Sequence, residues 1–370
     1  MLIQLALTGL LAALLPAWVV LRSSGKDKYR KLVTVTLVLT FELIMFGAFT
    51  RLTDSGLGCP DWPGCYGEAN PFQAHADIHA AATAMPSGPV THMKAWIEMI
   101  HRYLAMGIGV LLIAVMAFAW RQWIRSDREE QKYSPWLPSI LLAFVCVQGA
   151  FGAWTVTMKL QPIIVTIHLL LGMSLLAMLA WLNAHLSNHQ HVSHEALRLR
   201  MPALFAAAIL FVQIALGGWV STNYAALACM DFPLCHGKLI PEMDFANGFS
   251  LWRELGKTSG GEYLQYPSLT AIHWAHRCFA FFAACAIGWV GFRALGIGGL
   301  RSAGRWLLIA LAVQIATGVS TIFLEWPLAL AVLHNGGAAL LVLVLVMVNY
   351  KARIPAAAPP HLSAASLSSV

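Results

Sequence analysis

Charge is what this chain has least of. Of its 370 residues only 24 are Lys or Arg and 17 are Asp or Glu, together 11%, against 58% hydrophobic. A soluble domain carries roughly 25% charged residues, so this composition belongs to the membrane class. The net charge of +7 does not gather into one patch, because the basic residues sort by loop, and a nucleic-acid partner is excluded on that ground. The chain also has no basic segment ahead of its first apolar run and no clear small-x-small site after it. Residues 2–21 are therefore expected as an uncleaved anchor and not as a signal peptide.

Long apolar runs are what it has most of. Nine stretches, near 2–21, 33–51, 96–119, 137–156, 163–183, 202–221, 270–292, 306–324 and 329–349, reach the length that a spanning helix needs. Such segments satisfy every backbone group internally as helices, so the expected fold is an all-α polytopic membrane protein. The fourteen Trp suit interfacial belts. Sixteen of the 24 Lys and Arg fall in 22–31, 120–135, 184–201, 293–305 and the stretch after 350, whereas acids outnumber bases in 52–95 and 222–269. The positive-inside rule then predicts a bacterial inner-membrane protein with a periplasmic N-terminus and a cytoplasmic C-terminus. Residues 354–370, rich in Ala, Pro and Ser, read as a disordered tail.

The chain repeats itself. Gly47-Ala-Phe-Thr-Arg-Leu-Thr-Asp-Ser-Gly-Leu-Gly-Cys59-Pro-Asp-Trp-Pro-Gly-Cys65 aligns without gaps, at an offset of 170, with Gly217-Gly-Trp-Val-Ser-Thr-Asn-Tyr-Ala-Ala-Leu-Ala-Cys229-Met-Asp-Phe-Pro-Leu-Cys235. Glu98-Met-Ile-His101-Arg102 then matches His273-Trp-Ala-His276-Arg277, and Gln148-Gly149 is echoed by Gln314-Ile-Ala-Thr-Gly318. The expected organisation is an anchor and cytoplasmic loop over 1–32, one four-helix half over 33–201, a second over 202–353, and the tail. The halves are expected as pseudo-symmetric bundles, parallel repeats about an axis along the membrane normal.

Four histidines lie inside expected spans: His101, His168, His276 and His334. Polar residues there are costly and are functional candidates by default. Each is expected about five or six residues, roughly 8–9 Å, from the outer end of its helix. Histidines at equal depth on facing helices can hold a haem iron between them. The plainer alternative is a set of lone polar residues hydrogen-bonded to neighbouring helices. Glu98 and His273 stand one turn before His101 and His276, so the halves differ in chemistry at one matched position. A carboxylate there can take a proton or stabilise positive charge, or it is simply solvated. Arg51, Arg102 and Arg277 are candidates for haem propionates or for interfacial anchoring.

Cys59/Cys65 and Cys229/Cys235 share C-x5-C in outer loops, which an oxidising periplasm favours as disulfides, either structural or redox-active. Cys146, Cys278 and Cys285 are expected to pack within helices. His185, His189, His191 and His194 read as a solvated linker more readily than as a metal site. His75, His79 and His92 have no assignable partner, and Glu42 inside its span is left between a bundle hydrogen bond and a proton relay.

The run Thr50-Arg-Leu-Thr-Asp-Ser-Gly-Leu-Gly-Cys-Pro-Asp-Trp-Pro-Gly-Cys-Tyr-Gly67 closely resembles the signature of the haem A synthase family. Glu98-x-x-His101-Arg102, His168, Cys229 to Cys235, His276-Arg277 and His334 extend the resemblance over about 33–350. It implies an enzyme, an oxidoreductase that turns the C8 methyl of haem O into the formyl group of haem A by successive hydroxylations for cytochrome oxidase. By the same resemblance His101 and His168 would hold the substrate haem beside catalytic Glu98, and His276 and His334 a haem b. Haem O synthase, oxidase assembly factors, an electron acceptor or donor and a second copy of the chain are the partners it suggests. The leading helix departs from the family's usual eight spans. Two rival readings are a dihaem b-type quinol-oxidising subunit and a non-enzymatic haem carrier.

Overall fold

A computed structural model of the chain describes residues 1–23, 27–125, 134–189 and 192–353. His191 and the expected tail 354–370 lie outside the described residues. The order is α1 (Leu2–Arg22), α2 (Lys28–Leu52), α3 (His75–Ala84), α4 (His92–Arg125), α5 (Trp136–Thr157), α6 (Pro162–Leu186), a 3-10 turn (His194–Leu199), α7 (Arg200–Thr222), α8 (Phe245–Gly248), α9 (Tyr266–Leu295), α10 (Arg301–Phe323) and α11 (Leu328–Lys351). Among the described residues there are no strands, only three isolated bridges in the loops, and nine helices are long and apolar enough to cross a membrane. This is a multi-pass, all-α membrane protein.

All nine expected spans are present, but two are longer than the apolar runs that revealed them. α4 has 34 residues and α9 has 30, about 51 and 45 Å at 1.5 Å per residue, well beyond the ~30 Å hydrocarbon core. Their first turns rise among the outer loops. His101 is consequently the tenth residue of α4 and His276 the eleventh of α9, whereas His168 and His334 are each the seventh of α6 and α11. The five-to-six-residue depth holds from the helix ends for His168 and His334, and for His101 and His276 only when counted from the apolar runs.

Helix neighbours follow the same order twice. α2 touches α4 and α6, with α5 against both α4 and α6; α7 touches α9 and α11, with α10 against both. Between these groups α6 packs on α7 and α11, and α2 on α11. Large side chains point outward throughout, such as Ile3 at 78% exposure and Phe281 at 68%, as expected of lipid-facing surface. Threonines within α2 are satisfied locally: the hydroxyls of Thr36, Thr40 and Thr50 donate to Leu32, Thr36 and Phe46 carbonyls four residues back. Glu42 lies on the exposed side of α2 and not inside the bundle. Cys146 and Cys285 are likewise exposed, and Cys278 is partly buried, so two of the three free cysteines take no part in core packing.

The groups also meet at their outer ends. Arg51 donates to the Ser221 carbonyl at 2.6 Å, and the Tyr224 hydroxyl donates to Asp54 at 2.7 Å. Each partner is the other's counterpart under the 170-residue offset. In a twofold arrangement only residues beside the axis touch their own counterparts. Arg51 completes this brace by pairing with Asp54 at 3.1 Å and lying over the Tyr224 ring.

Candidate functional site

The two long loops that follow α2 and α7 begin alike. Cys59–Cys65 and Cys229–Cys235 are disulfides, each with a Cα–Cα distance of 4.9 Å. Within them Asp61 accepts from the Tyr66 and Gly67 amides, and Asp231 from the His236 and Gly237 amides. The Gly237 amide, with the His236 amide behind it, holds the Asp231 carboxyl below its ordinary value. Trp62–Pro63 and Phe232–Pro233 are both cis. Sequence reasoning found the repeat here and the structure repeats it bond for bond.

Each loop is then fastened to the helix that follows it, and here the halves part. Glu98, buried at 4% exposure, accepts the Cys59 amide at 2.8 Å through Oε2 and the Arg102 guanidinium at 2.5 Å through Oε1. Arg102 also donates to the carbonyls of Asp61, Pro63 and Gly64. In the second half, His273 Nδ1 faces the Cys229 amide at 3.2 Å and Nε2 faces Arg277 Nε at 3.2 Å. Arg277 donates to the carbonyls of Asp231, Leu234 and Cys229. A carboxylate accepts both donors at once; a neutral imidazole has one acceptor nitrogen and can satisfy only one of them. The first fastening is a charge-compensated buried ion pair, and the second leaves the Arg277 charge without a carboxylate. The solvated alternative for Glu98 is overturned. Arg51, Arg102 and Arg277, candidates for haem propionates, are each engaged with carbonyls of the protein.

Deeper in the helices stand the four histidines, and each faces a glycine of the preceding long helix. A Cβ on Gly47 would come within 3.0 Å of His101, on Gly152 within 3.2 Å of His168, on Gly217 within 3.1 Å of His276, and on Gly318 within 2.8 Å of His334. The rings occupy the space a side chain would take. His101 and His168 are near enough to interact electrostatically, as are His276 and His334. The sequence alignment missed one of these glycines. Gly149, aligned with Gly318, faces open space; Gly152, four residues after Gln148 as Gly318 is after Gln314, is the true counterpart.

Polar neighbours of the rings differ between pairs. Thr317 Oγ1 donates to the Val313 carbonyl at 2.9 Å and lies 3.1 Å from His334 Nδ1, placed to accept its proton, while Gln314 Nε2 lies 3.3 Å from His334 Nε2. Gln213 Nε2 lies 3.1 Å from His276 Nδ1. The buried Gln213 Oε1 has no partner; turning that amide over would offer it to a His276 N–H. At the matched positions of the first half stand Leu43 and Phe151. His168 Nδ1 there is buried without a partner, while Gln148 donates to the His168 carbonyl at 3.0 Å.

Other sequence candidates lie elsewhere. His75 and His92 stack at 4.3 Å, with His79 beside His75. His189 contacts the Ala184 carbonyl, and His185 the Tyr350 hydroxyl. Among the described residues no three His, Cys, Asp or Glu side chains converge as a metal-ion site. A haem iron can be held by a pair of imidazoles without such a cluster.

Residues 30–346 match the family model described as cytochrome oxidase assembly protein. The chain belongs to this family. It is 39% identical to the Heme A synthase of Shewanella oneidensis over 322 residues, 86% of this chain and 95% of that protein. Heme A synthases of Bradyrhizobium sp. and Caulobacter vibrioides are each 27% identical over 348 and 343 residues, covering 88% and 87% of this chain and 92% and 95% of theirs. The family match begins within α2, so α1 stands outside it.

Proposed function

We propose that this protein is a haem A synthase of the inner membrane, oxidising the C8 methyl of haem O to the formyl group of haem A for cytochrome oxidase. In this reading residues 33–201 and 202–353 are two four-helix halves about an axis near Arg51 and Tyr224, with the N-terminus outside and the C-terminus inside. His101 and His168 bind the substrate haem O, and His276 and His334 bind a resident haem b. One observation carries the assignment: two matched histidine pairs, each under a matched loop, differ where Glu98 replaces His273.

The residues present suit both groups. Glycine opposite every ring leaves room for the imidazoles that would hold a haem. The second pair is furnished as a permanent site, because Thr317 and Gln213 can hold its two rings through Nδ1. The first pair has apolar Leu43 and Phe151 at those positions. That suits a substrate that is hydrophobic and must leave, and the unpartnered His168 Nδ1 suits looser ligation.

When bound, the haem iron supplies the capacity to accept and pass electrons. The chain's part is positional and electrostatic. Glu98 stands one turn above His101 in a site closed by the loop, where a carboxylate can stabilise positive charge developing at the methyl or accept its protons. Arg102 holds that carboxylate in place.

Extraction and chromatography of bound pigments, from protein produced with and without a haem O supply, tests this reading. Haem b in both preparations, with haem O or haem A added only when haem O is supplied, is the expected result. Haem b alone in both, with rapid quinol oxidation, would establish an electron-transfer subunit instead.

A further inference from the structure

We propose that α1 is a clamp dedicated to the first half: it locks α4 by interdigitated glycines and covers the Cys59–Cys65 loop, holding Glu98 and His101 in register. α1 packs chiefly along α4, through a stripe that buries Leu5, Gly9, Ala13 and Val20. The contact interlocks in both directions. A Cβ on Gly9 would come within 2.9 Å of Met106 Cβ, and a Cβ on Gly107 within 3.0 Å of Ala12 Cβ. Helices in lipid gain little by burying apolar surface against one another, so such close approach of small residues decides whether they pair.

The outer end of α1 reaches the loop itself. Leu5 is 3% exposed within a cluster that contains Cys59, Cys65, Ala95 and Met99. A Cβ on Gly64, inside the disulfide loop, would meet Met1 Sδ at 2.7 Å. α1 therefore touches the loop that supplies the Cys59 amide to Glu98 and the α4 turns just below His101.

The second half shows that this contact is specific. The offset that pairs His101 with His276 pairs Met106 with Phe281 and Gly107 with Phe282, which are 68% and 61% exposed. A phenyl ring at Gly107 would occupy the place of Ala12, so α9 cannot receive a helix as α4 does. The helix missing from the family match serves only the half with the carboxylate.

The test uses the full-length chain in native membrane, with Gly107→Phe, which installs the second half's residue, and Gly9→Leu, which leaves α4 unaltered. Gly109→Phe is the control, since a Cβ there meets nothing within 4 Å. Timed reduction followed by alkylation and mass spectrometry reads both disulfides in one molecule. Both clamp variants should speed reduction of Cys59–Cys65 on the order of tenfold by loosening its local protection, with Cys229–Cys235 and the control unchanged. If Gly107→Phe does not accumulate, Gly9→Leu decides. Equal rates in wild type and variants, equal acceleration of both disulfides, or a mature chain that begins beyond residue 23 would overturn the clamp. Only the register of His101 rests on the haem reading. Its readout is the spectrum of the first haem, which should shift alone; a changed disulfide rate in a protein without haem would support the clamp and defeat that reading.

Discussion

The two outer loops close with the same disulfide and the same Asp-capped turn, yet one is fastened by Glu98 and the other by His273. Deeper in, the two histidine pairs face the same glycines but differ in what touches the rings. What the halves share is architecture: a loop pinned to a helix, and a helix that presents an imidazole to a slot without side chains. What they do not share is charge and polarity, and those are the properties that chemistry needs. A duplicated scaffold has kept its geometry and let a few buried positions diverge.

The largest effect should come from filling a slot. Gly152→Leu should remove the haem of the His101–His168 pair and leave the other, and Gly318→Leu should do the reverse, read as separate losses in the pigment ratio. Gly149→Leu, facing open space, should lose neither. Loss of both haems from either variant would mean that the slots are not independent.

Breaking the fastenings should separate the halves by stability. Arg102→Met leaves the Glu98 carboxylate buried without its charge partner, a change that costs about 3–5 kcal/mol. Arg277→Met leaves only a neutral imidazole and should cost about 1–3 kcal/mol. Equal losses of thermal stability in detergent would show that the carboxylate is not the anchor of its loop. A smaller effect is expected from Thr317→Val, which removes the acceptor beside His334. Haem affinity of the second site should fall by roughly 10–100-fold, with the first site unaffected, as measured by titration of the apoprotein.

Much of this was legible in the residues. Nine spans stood out because a bilayer demands long uncharged runs, and the histidines because polar groups within them are rare. The repeat was legible because loop turns depend on particular residues such as Asp61 and Pro63. Gly152 was not, because a slot opposite a ring is set by helical rotation, which a uniformly apolar helix does not betray. The packing face of α1 was hidden for the same reason. Arg102 and Arg277 were left between haem propionates and interfacial anchoring because the sequence gives a charge but not its partner; the carbonyls they bind come from loops about forty residues away. The first turns of α4 and α9 were missed because outside the bilayer apolar content no longer marks a helix.

The central claim is that the half carrying Glu98 performs the chemistry and the half carrying His273 holds a fixed cofactor. Its most direct test is Glu98→His, which gives the first half the second half's own residue, still able to accept the Cys59 amide. Pigments extracted from that variant, supplied with haem O, should contain haem O and haem b, with haem A reduced by roughly 100-fold or more. Haem A at the wild-type ratio would contradict the account.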